Sequence, residues 1–404
     1  MTIDEARTAV LSESSPLPPE EVPLAQAVGR VAAREFIASH GLPPFDHSAK
    51  DGFAVRSVDT RGATRESRVE LSVVTTIPAG TMPEVELRVG QAAKIMTGAP
   101  LPSGADAVVK RELTQERQGY VTVSRQVSPG TDVRRAAEDV AAGQVALSAG
   151  TLLGPGEIGL LAGLGVAKVT VHRRPRVVIV PTGSELVEVD ETPGPGQIHS
   201  SNAYILRALC AELGVETEVL DIVKDDREAT RISLERGLGY DVLLSTGGVS
   251  VGDFDYVREV QEELGVQQRV RGVAMKPGRP LVFGVLGRCL VFGFPGNPAA
   301  IPVCFELLVR PAVLRLLGHR RVLRPVCTGL ATTDMRGHKD MVRVVAVHAS
   351  HDLQGWRIAP SAEQSTAPRG PNVTENGLAF IPAGVAGVRA GEAVEFVLTR
   401  EPLE

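Results

Sequence analysis

Between residues 176 and 317 the apolar positions fall into two alternating kinds of run. Short, almost uninterrupted apolar stretches at 176–181, 241–246, 281–285 and 290–294 predict strands buried on both faces, because no polar alternation marks a solvent side. Between them, residues near 202–213, 226–238, 254–264 and 298–317 space their apolar side chains at helical intervals, and 215–223 reads as a further strand. Strands alternating with amphipathic helices predict right-handed crossovers and a mostly parallel, three-layer α/β sheet. Ligands then arrive at the carboxyl ends of its strands.

The flanking sequence has another rhythm. Residues 4–12 predict a short helix, 16–23 a proline-rich connector and 24–31 a helical stretch. From 46 to 147, runs such as Val69–Val74 and Tyr120–Val123 alternate with Gly and Pro turns, as in a compact β module. Gly154-Pro155-Gly156-Glu157 then opens a helix over 158–164. The expected organisation is an elongated N-terminal domain of residues 1–45 and 148–174 with a β-rich domain, 46–147, inserted into it. An α/β domain, 175–320, follows, and beyond the basic linker 321–325 a C-terminal β domain, 321–404, forms a small barrel or sandwich.

Composition narrows the function. The chain has 404 residues, 23% charged and only 4% aromatic, with a formal net charge of −5. No global basic field and few stacking rings argue against nucleic-acid binding, so an anionic ligand must be held by local cations and amides. Cys210, Cys289, Cys304 and Cys327 show no C-x-x-C spacing and read as reduced thiols. Met1-Thr2-Ile3-Asp4-Glu5 has neither a basic nor an apolar leader pattern, and no apolar run reaches membrane-spanning length. A cytoplasmic protein without membrane contact is therefore expected.

The chemistry concentrates at strand ends. Leu243-Leu244-Ser245-Thr246-Gly247-Gly248-Val249-Ser250-Val251-Gly252-Asp253-Phe254-Asp255 joins an apolar strand to a glycine-rich polar turn. Met275-Lys276-Pro277-Gly278-Arg279-Pro280 and Phe294-Pro295-Gly296-Asn297-Pro298 supply two more turns, one cationic and one opening a helix. Exposed amides at such turns and at helix N-termini bind phosphate or another oxyanion, and nearby acids invite a hard divalent cation. Thr182-Gly183-Ser184-Glu185 brings Glu185 to the same sheet edge, and Asp225-Asp226 follows another strand. Alone that pair would be a helix N-cap; with Glu185, Asp253 and Asp255 it completes an acidic set suited to Mg²⁺. In the inserted domain, Pro43 to Arg56, with Asp46, His47, Lys50 and Asp51, and Met96 to Asp106 are rigid polar turns that pattern alone leaves open between a domain joint and a function. His47 has no companion at zinc-ligand spacing.

With those residues stated, the chain resembles the molybdopterin molybdenumtransferases, the family of bacterial MoeA and the gephyrin E domain. The resemblance runs through Phe45–Arg56, Met96–Asp106, Arg134–Asp139, Thr182–Leu186, Thr246–Asp255, Lys276–Pro280 and Pro295–Pro298. It implies a four-domain elongated homodimer with a cleft between the α/β domain of one subunit and the inserted domain of the other. The implied reaction is Mg²⁺-assisted insertion of molybdate into adenylylated molybdopterin with release of AMP. A molybdopterin adenylyltransferase would act upstream.

By the same resemblance Asp51, Thr97, Asp139, Glu185, Asp225 and Asp255 are catalytic, and Glu185, Asp225 and Asp255 hold the metal. Thr246, Gly247, Gly248, Ser250, Gly252, Asp253, Lys276, Arg279, Pro295, Gly296, Asn297 and Pro298 line the ligand. The chain departs from the family at His47 and Lys50, where Asn and Met are usual, at Ala137 for Gly, at His338 for Arg, and near Gly370-Pro371, where a serine pair is missing. A gephyrin-like scaffold that binds partner proteins is the alternative. An unrelated nucleotide-phosphate enzyme is disfavoured because no Walker or Rossmann glycine pattern follows the first strand.

Overall fold

The computed structural model describes residues 1–247, 256–361 and 375–401. Of the sequence expectations, Gly248, Ser250, Gly252, Asp253, Asp255 and the Gly370-Pro371 pair lie outside these residues.

One six-stranded sheet organises the α/β unit, in the order Thr217–Val219, Val177–Pro181, Val242–Thr246, Cys289–Phe294, Val282–Leu286, Gln267–Arg271. The first four strands run parallel, and Val282–Leu286 runs antiparallel to both its neighbours. Successive side chains of a strand face opposite sides. Val177, Ile179, Leu244 and Phe292 therefore enter one core beneath the helices Ser201–Glu212 and 300–316. Val178, Val180, Leu243 and Val291 enter a second core under Arg227–Gly237 and Tyr256–Glu263. Burial on both faces explains why these strands read as continuous apolar runs.

The helix Ile3–Ser12 buries Ile3, Ala6 and Val10 in the first of these cores. Thr2 and Glu5 close a capping box at its start. The connector 16–23 differs from expectation: Pro19–Pro23 is a strand pairing antiparallel with Lys168–His172. Its prolines are tolerated because the ribbon has only two strands. The helical stretch 24–31 reduces to a single 3₁₀ turn, Leu24–Gln26, since Gly29 at φ +75° turns the chain and Val31 and Ala32 bridge to Leu152 and Val171. The long helix runs from 300 to 316 with a π-helical segment, Phe305–Val309, at its centre.

The inserted β unit is a six-stranded sheet, ordered Ala107–Lys110, Gly52–Val55, Gln91–Ile95, Val69–Ile77, Tyr120–Val123, Thr114–Arg117. At the C-terminal end, Val342–Asp352 pairs with both Gly355–Pro360 and Gly377–Ile381, closing a barrel and deciding between barrel and sandwich. The unforeseen strand Met275–Lys276 pairs in parallel with Val342–Arg343, so the α/β unit and the barrel share backbone hydrogen bonds.

Candidate active site

The parallel register brings Pro181, Thr246 and Phe294 level at the carboxyl edge of the sheet. Backbone bonds then fasten the turns to one another. Thr182 donates its N–H to Thr246 O at 3.0 Å, Gly183 to Val223 O at 2.9 Å and Gly247 to Phe294 O at 3.0 Å. Gly247 sits at φ +90°, and a Cβ there would lie 2.6 Å from Thr182 O, so this approach of two turns requires glycine. Thr246 Oγ1 beside it is buried without a hydrogen-bond partner.

Two acids meet at this edge. Ser184 donates its N–H to Asp225 Oδ2 at 3.1 Å, and Asp225 returns its N–H to Ser184 Oγ at 2.9 Å. Glu185 folds its carboxylate back over Gly183, whose φ is +147°; a Cβ there would stand 2.6 Å from Oε2. Asp225 and Glu185 are both exposed. Asp226, in contrast, accepts from Ala229 N–H at 2.8 Å and caps the helix Arg227–Gly237. Among the described residues no group of three or more His, Cys, Asp or Glu is gathered as a ready metal site.

Pro295-Gly296-Asn297-Pro298 leaves the strand Cys289–Phe294 and enters the helix at residue 300. Asn297 Oδ1 accepts from Ala299 N–H at 3.0 Å, and Asn202 Nδ2 donates to Gly296 O at 2.9 Å, tying a second helix start to this turn. The Lys276–Pro280 turn is fixed by Gly278, at φ +104°, which presses against Cys304 and Met275. Arg279 lines a cavity of about 830 Å³ together with Arg258, Arg271 and His338, against the single acid Asp340. Glu262 pairs with both Arg271, at 3.1 Å, and Arg258, at 3.6 Å. This basic concavity collects side chains from four separate segments, which is why motif reading found Arg279 and missed Arg258 and Arg271.

The inserted-domain candidates gather elsewhere. Asp51 Oδ1 accepts both the N–H of Thr97, at 2.7 Å, and its hydroxyl, at 2.8 Å. The Thr97 N–H, then its hydroxyl, hold the Asp51 carboxyl below its ordinary range. Asp139 pairs with Arg134 at 2.7 Å, and Asp46 with Arg135 at 2.7 Å. Ala137, at φ +59°, takes a left-handed conformation packed against Gly41. Buried Cys210 and Cys289 have their thiols pushed up to about 12, chiefly by desolvation, which suits packing and not nucleophilic attack.

An α/β sheet whose carboxyl edge carries glycine turns, two exposed acids and a basic cavity nearby has the features of a site for phosphate-like anions. The comparisons make the class specific. Residues 1–165 match the model of the MoeA N-terminal region (domain I and II), and residues 178–315 match the probable molybdopterin binding domain. The molybdopterin molybdenumtransferase of Staphylococcus aureus is 33% identical over 398 residues, 98% of this chain and 95% of that one. That of Staphylococcus epidermidis is 32% identical over 400 residues, covering 99% and 96%. The crystal structure of the molybdopterin biosynthesis MoeA protein from Pyrococcus horikoshii OT3 superposes with a TM-score of 0.84 at 29% identity, covering 98% of this chain and 99% of that one. The chain belongs to the MoeA family of molybdopterin molybdenumtransferases.

Proposed function

We propose that this protein transfers molybdate onto the dithiolene of adenylylated molybdopterin and releases AMP. The observation that carries this reading is the convergence of the turns at 182–185, 223–225, 246–247 and 294–298 on one sheet edge. Phosphate and molybdate are both oxyanions, and one edge with amides, cations and acids suits both. Full-length likeness to the staphylococcal transferases favours the enzyme over a scaffold that clusters partner proteins.

The acids fit Mg²⁺, because exposed Glu185 and Asp225 are oxygen donors on adjoining turns and Mg²⁺ needs only one or two carboxylates beside substrate phosphates. Asp255 is the proposed third. When bound, the metal would neutralise phosphate charge as the nucleotide leaves. The Ser184–Asp225 exchange of hydrogen bonds holds one Asp225 oxygen and leaves the other for the cation. Lys276 and the basic cavity at Arg279 supply the cationic side for the oxyanion. Asp51, Thr97 and Asp139 belong in this reading to a cleft completed by the inserted domain of a second subunit, with Asp51 fixed in place by Thr97 and Asp139 by Arg134. A cytoplasmic setting and an upstream adenylyltransferase complete the reading.

The test is incubation with adenylylated molybdopterin, molybdate and Mg²⁺ while AMP is followed. Release that requires both molybdate and Mg²⁺ is expected; none with intact substrate would reject the transferase.

A further inference from the structure

The turn that leaves the strand Cys289–Phe294 has few donors to offer. Pro295 and Pro298 lack an N–H, and Ala299 gives its own to Asn297 Oδ1 at 3.0 Å. The N–H groups of Gly296 and Asn297 make no hydrogen bond to any described residue, so two successive amides are left for a ligand. Both residues are exposed.

The direction of the second amide is decided from outside the turn. Asn202, in the first turn of the helix Ser201–Glu212, donates its Nδ2 to Gly296 O at 2.9 Å. Gly296 O and the Asn297 N–H belong to one trans peptide, whose planarity points them in opposite directions. Holding the carbonyl on the helix therefore aims the Asn297 N–H away from it. Rotation of that peptide is otherwise easy, because Gly296 has no side chain and a Cβ there would meet nothing within 4 Å. A donor on the carbonyl also polarises the peptide and strengthens its N–H.

The other half of the Asn202 amide shows that the contact does not serve stability. Its Oδ1 is buried with no hydrogen-bond partner, an arrangement that costs free energy and that an apolar side chain of similar size avoids. Turning the amide over would set Oδ1 against Gly296 O and leave the amide nitrogen unmet instead. Exposed Gly296 can give its carbonyl to water. What Asn202 supplies and water does not is a fixed peptide orientation.

We propose that Asn202 is a positioning residue that locks the Gly296–Asn297 peptide so that the Asn297 N–H meets a tetrahedral oxyanion of the substrate. The assignment rests on the transferase reading, in which that oxyanion is either the adenylyl phosphate or molybdate.

Gly296-Asn297 is the one Gly-Asn pair in the chain, so glycine labelled at its carbonyl carbon together with asparagine labelled at its backbone nitrogen makes this peptide a single NMR reporter in the full-length protein. AMP and molybdate are titrated separately. A single wild-type resonance, displaced saturably by one or both anions, is expected, and the anion that moves it identifies the oxyanion. Asn202→Leu should broaden or double that resonance and weaken the anion roughly three- to tenfold, while melting within a few degrees of wild type. If the leucine variant does not fold, Asn202→Asp, equal in shape but without a donor, should broaden or double the resonance before any anion is added. A wild-type resonance that neither anion moves, or a folded variant that keeps one sharp resonance and wild-type affinity, would overturn the lock. Lower melting with unchanged affinity would mark a structural contact and overturn it as well. AMP release from adenylylated molybdopterin is followed alongside on the wild-type chain. Release with a peptide that neither anion moves removes the lock and leaves the transferase; an anion-sensitive peptide loosened by Asn202→Leu, without AMP release, supports the lock and removes the transferase.

Discussion

Gly278→Ala should detach the Lys276–Pro280 turn from the helix it leans on. Gly278 is buried at φ +104°, and an added Cβ would lie 2.6 Å from Cys304 Sγ and 2.7 Å from Met275 Cε. Two penalties combine: about 1–3 kcal/mol for holding alanine in that backbone region and about 1–3 kcal/mol for overpacking. Cys304 and Met275 are fully buried, so neither neighbour has free space to swing into. After partial relaxation a net loss of about 3 kcal/mol is expected, or roughly 6–12 °C in melting temperature for a unit of this size. Adding Cys304→Ala removes the sulfur from the overlap but not the backbone strain, and should return about 1–2 kcal/mol. Thermal melts of the wild type, both single variants and the double variant form a complete cycle. A Gly278→Ala protein melting within about 1 °C of wild type, or a double variant showing only additive loss, would refute the close approach. Transferase turnover should fall with stability, because Lys276 continues from this turn into the strand shared with the barrel.

Three further outcomes follow from the site and its supports. Glu185→Ala and Asp225→Ala should each abolish metal insertion while melting stays within a few degrees of wild type, since both side chains are exposed; mixing Glu185→Ala with Asp51→Ala chains should restore part of the activity in exchanged dimers, and no recovery after confirmed exchange excludes a shared cleft. Thr97→Val, which keeps the N–H and removes only the hydroxyl, should bring the Asp51 carboxyl part of the way back up, read by carboxyl NMR; because that carboxyl is lowered in the fold, its bond to Thr97 is present above the ordinary carboxylate range and lost only as pH falls through the lowered value. Asp241→Asn should cost about 2–3 kcal/mol, because Arg173 is bonded to Asp241 through two nitrogens at 2.7 and 2.6 Å; burial raises the Asp241 carboxyl, but Arg173 and the Arg176 N–H outweigh it, so this support also fails only on strong acidification, as pH-dependent melting would show.

The elements most legible in the sequence were those where two signals agree. Val177–Pro181, Val242–Thr246 and Cys289–Phe294 fall within a residue of expectation because burial on both faces makes an unbroken apolar run and glycine or proline ends it. Helix 201–212 and helix 227–237 were found by their period, the second also by its Asp226 cap. Pro19–Pro23 and Gln267–Arg271 were missed for the opposite reason. One carries proline at both ends and the other four polar or charged residues on an edge, where a strand needs few apolar side chains.

The candidate chemistry divides along the same line. Glu185 and Asp225 were placed together from sequence because parallel strands deliver their carboxyl ends to one edge, whatever the loops do in between. The motif could not say which of Asp225 and Asp226 serves the cap; hydrogen bonds assign Asp226 to Ala229 and Asp225 to Ser184. Asp51 and Thr97 stood in separate motifs, and their union depends on Gly52–Val55 pairing with Gln91–Ile95. The cavities are a further step removed. Arg258, Arg271, Arg279 and His338 share one wall only because the strand Met275–Lys276 joins the barrel, and Tyr204 and Glu375 line one cavity that no single segment encloses. Local pattern specifies where a strand ends and what its turn carries, whereas a cavity between units is specified by the docking of several such ends.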